Sequence, residues 1–285
     1  MMDGTKIWEE DNGLFNSLLI NPLLELQQIT DINTGEIFKY IGKNNGLTFK
    51  ISPSGHIEIG GSLHKFHNKG THNYDDFNIY KLRETIEHLS DCFNINPYTA
   101  TIHKLEFGLN LITPFNPTYF LNSLVSYRGK QFNDFDKGEG KLCNMTQYSI
   151  KIYNKSLQYH LGYYLLRVEI SVNKMQALNT GPIFLVDLKS LNTWQICFNQ
   201  LLKAFNMIVI KDDIIVERLS PSEKEFYCSA TNPETWKNHN MKPRERYNNI
   251  LKFNDINNNY GQNRYAEIIK DSMEKKYSEL IHPAN

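Results

Sequence analysis

The chain has 285 residues, of which 40% are hydrophobic and 12% aromatic. That is enough apolar surface for a substantial core and excludes wholesale disorder. Its 31 lysines and arginines balance 31 acids, which excludes a polycation that coats nucleic acid but leaves room for a local basic surface. No apolar run approaches the length of a membrane-spanning helix, and no secretory signal is visible near the start, so a cytoplasmic protein is expected. Cys92, Cys143, Cys197 and Cys228 are scattered without a C-x-x-C pair, which argues against a zinc ribbon and for reduced thiols. A phosphate loop of the G-x-x-x-x-G-K type is absent, so intrinsic ATPase or helicase activity is not expected.

Residues 1–60 hold four lysines against eight acids, so the positive balance lies downstream. The first predicted strand is His56–Ile59, with Ile57 and Ile59 on one face. In the glycine-containing stretch that follows, His64, His67 and His72 read as a zinc site, as phosphate or active-site contacts (His64 above all), or as surface histidines. Ile79, Leu82, Ile86, Leu89 and Phe93 recur at helical spacing behind a possible Asn78 cap. A second strand spans residues 102–109 with imperfect alternation; that alternation turns His103 away from Glu106. Asn116-Pro117 opens a predicted helix that should end at Gly129. Residues 148–153 and 165–172 alternate cleanly and read as strands. Asp187 is the expected cap of a helix with the stripe Leu191, Trp194, Phe198, Leu201 and Phe205. Pro221 and Pro233 break the chain ahead of two tail helices, one starting near Pro243 and one carrying Ala266, Ile269, Met273 and Leu280. The pattern predicts an α+β fold over residues 1–218, an antiparallel central sheet with helices on one face, followed by a C-terminal helical module over 219–285.

The polar faces of the four strands offer His56 and Glu58, Lys104 and Glu106, Ser149, Lys151 and Tyr153, and Arg167, Glu169 and Ser171. If the strands share one sheet, three carboxylates, a tyrosine and several cations meet on one surface. A solvated sheet face would look the same. The functional reading is phosphoryl transfer: carboxylates suit a hard divalent cation, Mg²⁺ or Mn²⁺, and a tyrosine hydroxyl is a competent covalent nucleophile once activated. In the tail, eight basic residues from Lys242 to Lys276 stand against five acids. This is either a solvated helical face or a module that grips duplex DNA, with Arg244 and Arg246 the first candidates for contact.

The blocks HIEIGGSLHKF, IHKLEFGLNL, IKIYNKSLQ and LLRVEISVNK resemble, in order and spacing, the rolling-circle replication initiators of phages and small plasmids. The likeness is to the family that includes filamentous-phage nickases, and more distantly to pT181-type plasmid initiators. It covers roughly residues 50–178. It implies an HUH-endonuclease-like nickase fold. The activity implied is a nick in one strand at a replication origin, through a 5′-phosphotyrosine intermediate that is later rejoined. By that resemblance Tyr153 is the nucleophile, Lys155 matches the I-Y-N-K lysine that steers phosphate, and Glu58, Glu106 and Glu169 are the candidate metal ligands. Lys151 and Arg167 are candidate phosphate contacts. The implied partners are single-stranded or hairpin origin DNA, with a host helicase and polymerase. The chain departs from the pattern in two places: it has no His–hydrophobic–His triplet, the nearest being His56-Ile-Glu58, and Glu106 stands where the family carries aspartate. A mobilisation relaxase and a non-catalytic DNA-binding regulator are the alternatives.

Overall fold

The computed structural model of the chain describes residues 1–237 and 241–283. It opens with β1 (Met2–Glu10), α1 (Asn12–Leu19), β2 (Gln27–Thr30), β3 (Ile37–Asn44), β4 (Leu47–Ile51), β5 (His56–Ser62), α2 (Leu63–His67) and α3 (Ile79–Phe93). Next come β6 (Thr101–Ile112), α4 (Pro117–Ser123), β7 (Leu124–Tyr127), β8 (Lys130–Gln131), β9 (Asn133–Phe135) and β10 (Gly140–Asn144). They are followed by β11 (Tyr148–Asn154), α5 (Lys155–Tyr159), β12 (Leu165–Val172), α6 (Leu191–Phe205) and β13 (Ile208–Ile210). The tail holds α7 (Pro221–Ala230), α8 (Pro233–Trp236), α9 (Pro243–Tyr260) and α10 (Tyr265–Ile281).

Among the described residues, ten strands form one sheet in the order β2-β3-β4-β5-β1-β6-β12-β11-β10-β9. Each pairing is antiparallel, so the fold is mixed α/β around one large antiparallel sheet. The four expected strands lie in it, and β12 matches its predicted span. Inward residues such as Ile57, Ile59, Leu105, Phe107, Val168 and Ile170 share one core with the buried stripes of α3, α6 and α10. The opposite, polar face carries the candidate residues. No described helix is long and apolar enough to cross a membrane.

β1 was not expected, yet it sits at the centre, between β5 and β6. Its buried positions mix Met2 and Ile7 with Asp3, Thr5 and Glu9, so its hydrophobic alternation is faint. Two register shifts mark its pairing with β6. Met2 faces Phe107 but Thr5 faces Leu105, which leaves an extra residue on β1. Lys6 faces Lys104 but Ile7 faces Ile102, which makes His103 the extra residue on β6. Bulges of this kind re-aim side chains.

The helix expected from Asn116 to Gly129 stops at Ser123. Leu124–Tyr127 is extended because it pairs with β13 and buries Val125, Ser126 and Tyr127; tertiary pairing overrides local helix propensity. Arg128 and Gly129 both have positive φ, 49° and 82°. Gly129 therefore closes a β7–β8 hairpin of the type I′ kind instead of capping a helix. Asp187 does not cap α6. Its carboxylate accepts the Phe184 N–H at 2.8 Å, and Ser190 is the cap. Pro221 and Pro233 open α7 and α8 at their first positions.

Helices α7 to α9 share a second core of Val125, Val209, Tyr227, Trp236, Ile250 and Phe253 with the small sheet β13-β7-β8. Helix α10 instead returns to the principal core through Ile269, Met273 and Leu280.

Candidate active site

A cleft of about 470 Å³ opens on the polar face of the sheet. Its lining includes Asp3, Lys104, Glu106, Lys151, Tyr153 and Glu169. Strand register assembles it: Lys151 lies opposite Glu169, Tyr153 opposite Arg167, and Ser171 opposite Glu106. Three acids and three bases then alternate in one chain of contacts. Asp3 Oδ2 lies 3.3 Å from Arg167 Nη2, and Arg167 Nε lies 3.0 Å from Glu169 Oε2. Lys151 Nζ is 3.3 Å from Glu169 Oε1 and 3.1 Å from Glu106 Oε1, and Lys104 Nζ is 2.9 Å from Glu106. The formal charges cancel, as buried and half-buried charges must.

Arg167, Glu169 and Asp3 are the deepest members, at 3%, 4% and 4% exposure. Arg167 also donates from Nη1 to Asn110 Oδ1 at 3.2 Å. Burial pushes the Glu106 carboxyl up, but Lys151 and Lys104 outweigh it and hold the group below its ordinary range. Asp3 behaves likewise: burial raises it, and Arg167 and Lys155 outweigh that. Lys151 is held above its ordinary value because Glu169 and Glu106 outweigh desolvation.

Tyr153 donates a long hydrogen bond, 3.5 Å, from its hydroxyl to Glu169 Oε2. Burial first, and the Glu169 charge second, raise its phenol well above the usual tyrosine range. The side chain is therefore held protonated beside the Glu169 carboxylate. Phe135 packs edge-on to its ring at 5.7 Å. Gly140, opposite Tyr153 in register, makes that possible. A Cβ at position 140 would come within 2.5 Å of the Phe135 ring and 2.7 Å of Tyr153 Cβ.

The remaining sequence candidates fall in different places. Lys155 is fully buried and absent from the cleft lining. Its ammonium donates to the Asn73 carbonyl at 2.6 Å, and burial, then Arg167, lower its pKa to about 7. His64 is also buried, stacked on Phe77, with Nε2 2.7 Å from Asp75 Oδ1; burial lowers it to about 4. Neither side chain lines the cleft. Arg244 is exposed at the start of α9, and Arg246 lines a separate groove of about 1010 Å³.

Glu58 does not join Glu106 and Glu169. It lies on β5, across β1, and is held by Lys50 at 2.6 Å, Lys6 at 3.1 Å and the Trp8 indole N–H at 3.3 Å. Among the described residues, no group of three or more His, Cys, Asp or Glu is placed to hold a metal ion, and this includes His64, His67 and His72. Glu106 and Glu169, however, both reach one cationic point, Lys151 Nζ. Two carboxylates completed by water and a substrate phosphate suit Mg²⁺ or Mn²⁺.

Sequence reasoning missed Asp3, Asn73 and Asn110. Asp3 accepts from Ser62 Oγ and, at 2.8 Å, from Asn73 Nδ2. Asn73 in turn accepts from the Tyr159 hydroxyl at 2.7 Å. The only available signal was a lone acid in M-D-G-T-K-I-W, which is legible only once that segment is recognised as a strand.

The chain has a structural likeness to a rolling circle replication initiator protein from Geobacillus stearothermophilus, with 13% sequence identity, a TM-score of 0.37, and coverage of 62% of this chain and 75% of that one. No protein-family model matches the chain, and no curated protein matches it.

Proposed function

We propose that the chain is a rolling-circle replication initiator, built on an HUH-endonuclease-like sheet, that nicks and rejoins one DNA strand at an origin through Tyr153. The observation that carries this reading is the Tyr153 hydroxyl beside the Glu169 carboxylate, in a cleft that Lys151 also lines. The Tyr153 oxygen bonds to phosphorus as the P–O3′ bond breaks. Its proton passes to Glu169, and the departing 3′ oxygen takes a proton from water. The phosphotyrosine bond conserves the energy of the phosphodiester, so reversal by a 3′ hydroxyl rejoins the strand without ATP.

Lys151 is the group that meets the phosphate oxygens, and Arg167 fixes the Glu169 carboxylate from behind. Glu106 and Glu169 are the residues that would hold Mg²⁺ or Mn²⁺, which supplies neutralisation of the charge building on the phosphate. The partners on this reading are single-stranded or hairpin origin DNA in the cleft, duplex DNA along the tail near Arg244 and Arg246, and a host helicase and polymerase acting from the free 3′ end.

The test is a denaturing gel of end-labelled single-stranded fragments incubated with protein and Mn²⁺. The reading expects a protein-linked product with the wild type and none with Tyr153→Phe, while DNA binding persists. Cleavage retained by Tyr153→Phe removes the assignment.

A further inference from the structure

Beside the cleft, on the same polar face, three rings from three adjacent strands come together. The Trp8 indole of β1 stacks on the His103 imidazole of β6 with centroids 3.6 Å apart and planes 23° from parallel. His56 of β5 meets the same indole edge-on at 5.1 Å. None of the three is buried. His103 reaches this face only because it is the extra residue of the second β1–β6 bulge. Strict alternation would have turned it into the core. A bulge that delivers an imidazole onto a partly exposed indole, next to a cleft, is a feature that packing alone does not require.

Three lysines, Lys6, Lys50 and Lys104, stand at short range, Lys104 paired with Glu106 at 2.9 Å. Lys6 and Lys104 lie directly opposite each other on β1 and β6, an arrangement of like charges that costs stability. Lys104 lines the cleft, and Lys6 is its neighbour on the Trp8 side. Lys6 and Lys50 share the single carboxylate of Glu58, which leaves one positive charge over. Glu10, 3.5 Å from His56, is the further acid at the rim.

We propose that Trp8, His103 and His56 form a stacking platform for an unpaired base of single-stranded DNA. The platform would take a nucleotide next to the phosphate held in the cleft, with Lys104 and Lys6 tracking the backbone between them. The proposal rests on the nicking reading and adds to it where the strand runs. Stacking of bases on aromatic rings is tolerant of sequence, because every base has a π face. The platform therefore contributes grip and direction, and origin choice lies elsewhere.

Tryptophan fluorescence reports on this directly. Of the three tryptophans, Trp194 and Trp236 are buried at 0% and 1% exposure, so a bound base can quench only Trp8. A mixed-sequence single-stranded oligonucleotide, whose binding is followed independently by anisotropy of a label on the DNA, should quench emission in step with binding. The quenching should vanish in Trp8→Phe. Trp8→Ala should weaken binding by roughly five- to a hundred-fold, the range expected for one stacked base. Binding without quenching, wild-type affinity in Trp8→Ala, or failure to bind single strands at all overturns the proposal. Should Trp8→Ala fold poorly, quenching of the wild type alone decides. The covalent product at Tyr153 is read separately on a gel. Product without quenching sinks the platform and spares the nickase; quenching without product does the reverse.

Discussion

The Tyr153 hydroxyl and the Arg167 guanidinium converge on the same oxygen, Oε2 of Glu169, at 3.5 Å and 3.0 Å. The pairing is asymmetric. Arg167 is nearly buried and holds Glu169 firmly, whereas the phenol is only loosely attached. Glu169 is thus oriented by one neighbour and available to the other. The phenol is held protonated, since desolvation and the Glu169 charge oppose the phenolate.

From this follows the behaviour of Glu169→Gln. The amide keeps the shape and a hydrogen bond but cannot accept the phenolic proton. The rate of covalent product formation in single turnover should fall about a hundred-fold or more, with oligonucleotide binding changed far less. An unchanged rate would remove Glu169 from the proposed proton transfer.

Gly140→Ala tests the positioning of the nucleophile without touching its chemistry. The added methyl meets the Phe135 ring and the Tyr153 Cβ, so the tyrosine must shift. Because small displacements of reacting groups are costly, product formation should drop by about tenfold or more while DNA affinity stays near wild type. Equal rates in Gly140→Ala would show that the Phe135–Tyr153 contact does not set the tyrosine.

Lys151 bridges the Glu106 and Glu169 carboxylates at the point they share. Replacing it with Met removes a positive charge from between them. Titration calorimetry with Mn²⁺ on DNA-free protein should then show affinity raised by about tenfold or more, a modest demand for a unit charge at this range. Weaker Mn²⁺ binding in Lys151→Met would argue that these carboxylates do not share a cation site.

Lys155 predicts a pH dependence of stability. Its pKa in the folded chain is about 7, against roughly 10.4 when unfolded. Between those values the unfolded chain binds more protons, so stability rises with pH and this contribution is lost as pH falls toward 7. Between pH 7 and 9 the wild type should gain about 2 kcal/mol relative to Lys155→Met in urea unfolding. Parallel pH profiles for the two proteins would contradict the burial of a neutral amine.

Much of this architecture was legible in the sequence. Leu166, Val168, Ile170 and Val172 spell β12 by strict alternation, and Ile79 through Phe93 spell α3 with its Asn78 cap. Alternation alone puts Glu106, Lys151, Tyr153 and Glu169 on the polar faces of β6, β11 and β12. What was hidden depended on long-range pairing. β1 carries too few aliphatic residues to announce itself, and so Asp3 went unseen. The bulge at His103 breaks the period on which its assignment relied, and Leu124–Tyr127 becomes a strand only because β13 lies beside it. Glu58 looked equivalent to the other two acids because alternation gives a face but not the strand order. The intervening β1, with Lys6 and Trp8, keeps it apart.

The most direct measurement maps the covalent bond itself. Wild-type protein trapped with a cleavable single-stranded oligonucleotide and Mn²⁺ is digested and sequenced by mass spectrometry. The account predicts a nucleotide joined through its 5′ phosphate to the Tyr153 side chain. Attachment at Tyr159, Tyr163 or any other residue, or binding without any adduct across metals and fragments, would contradict it.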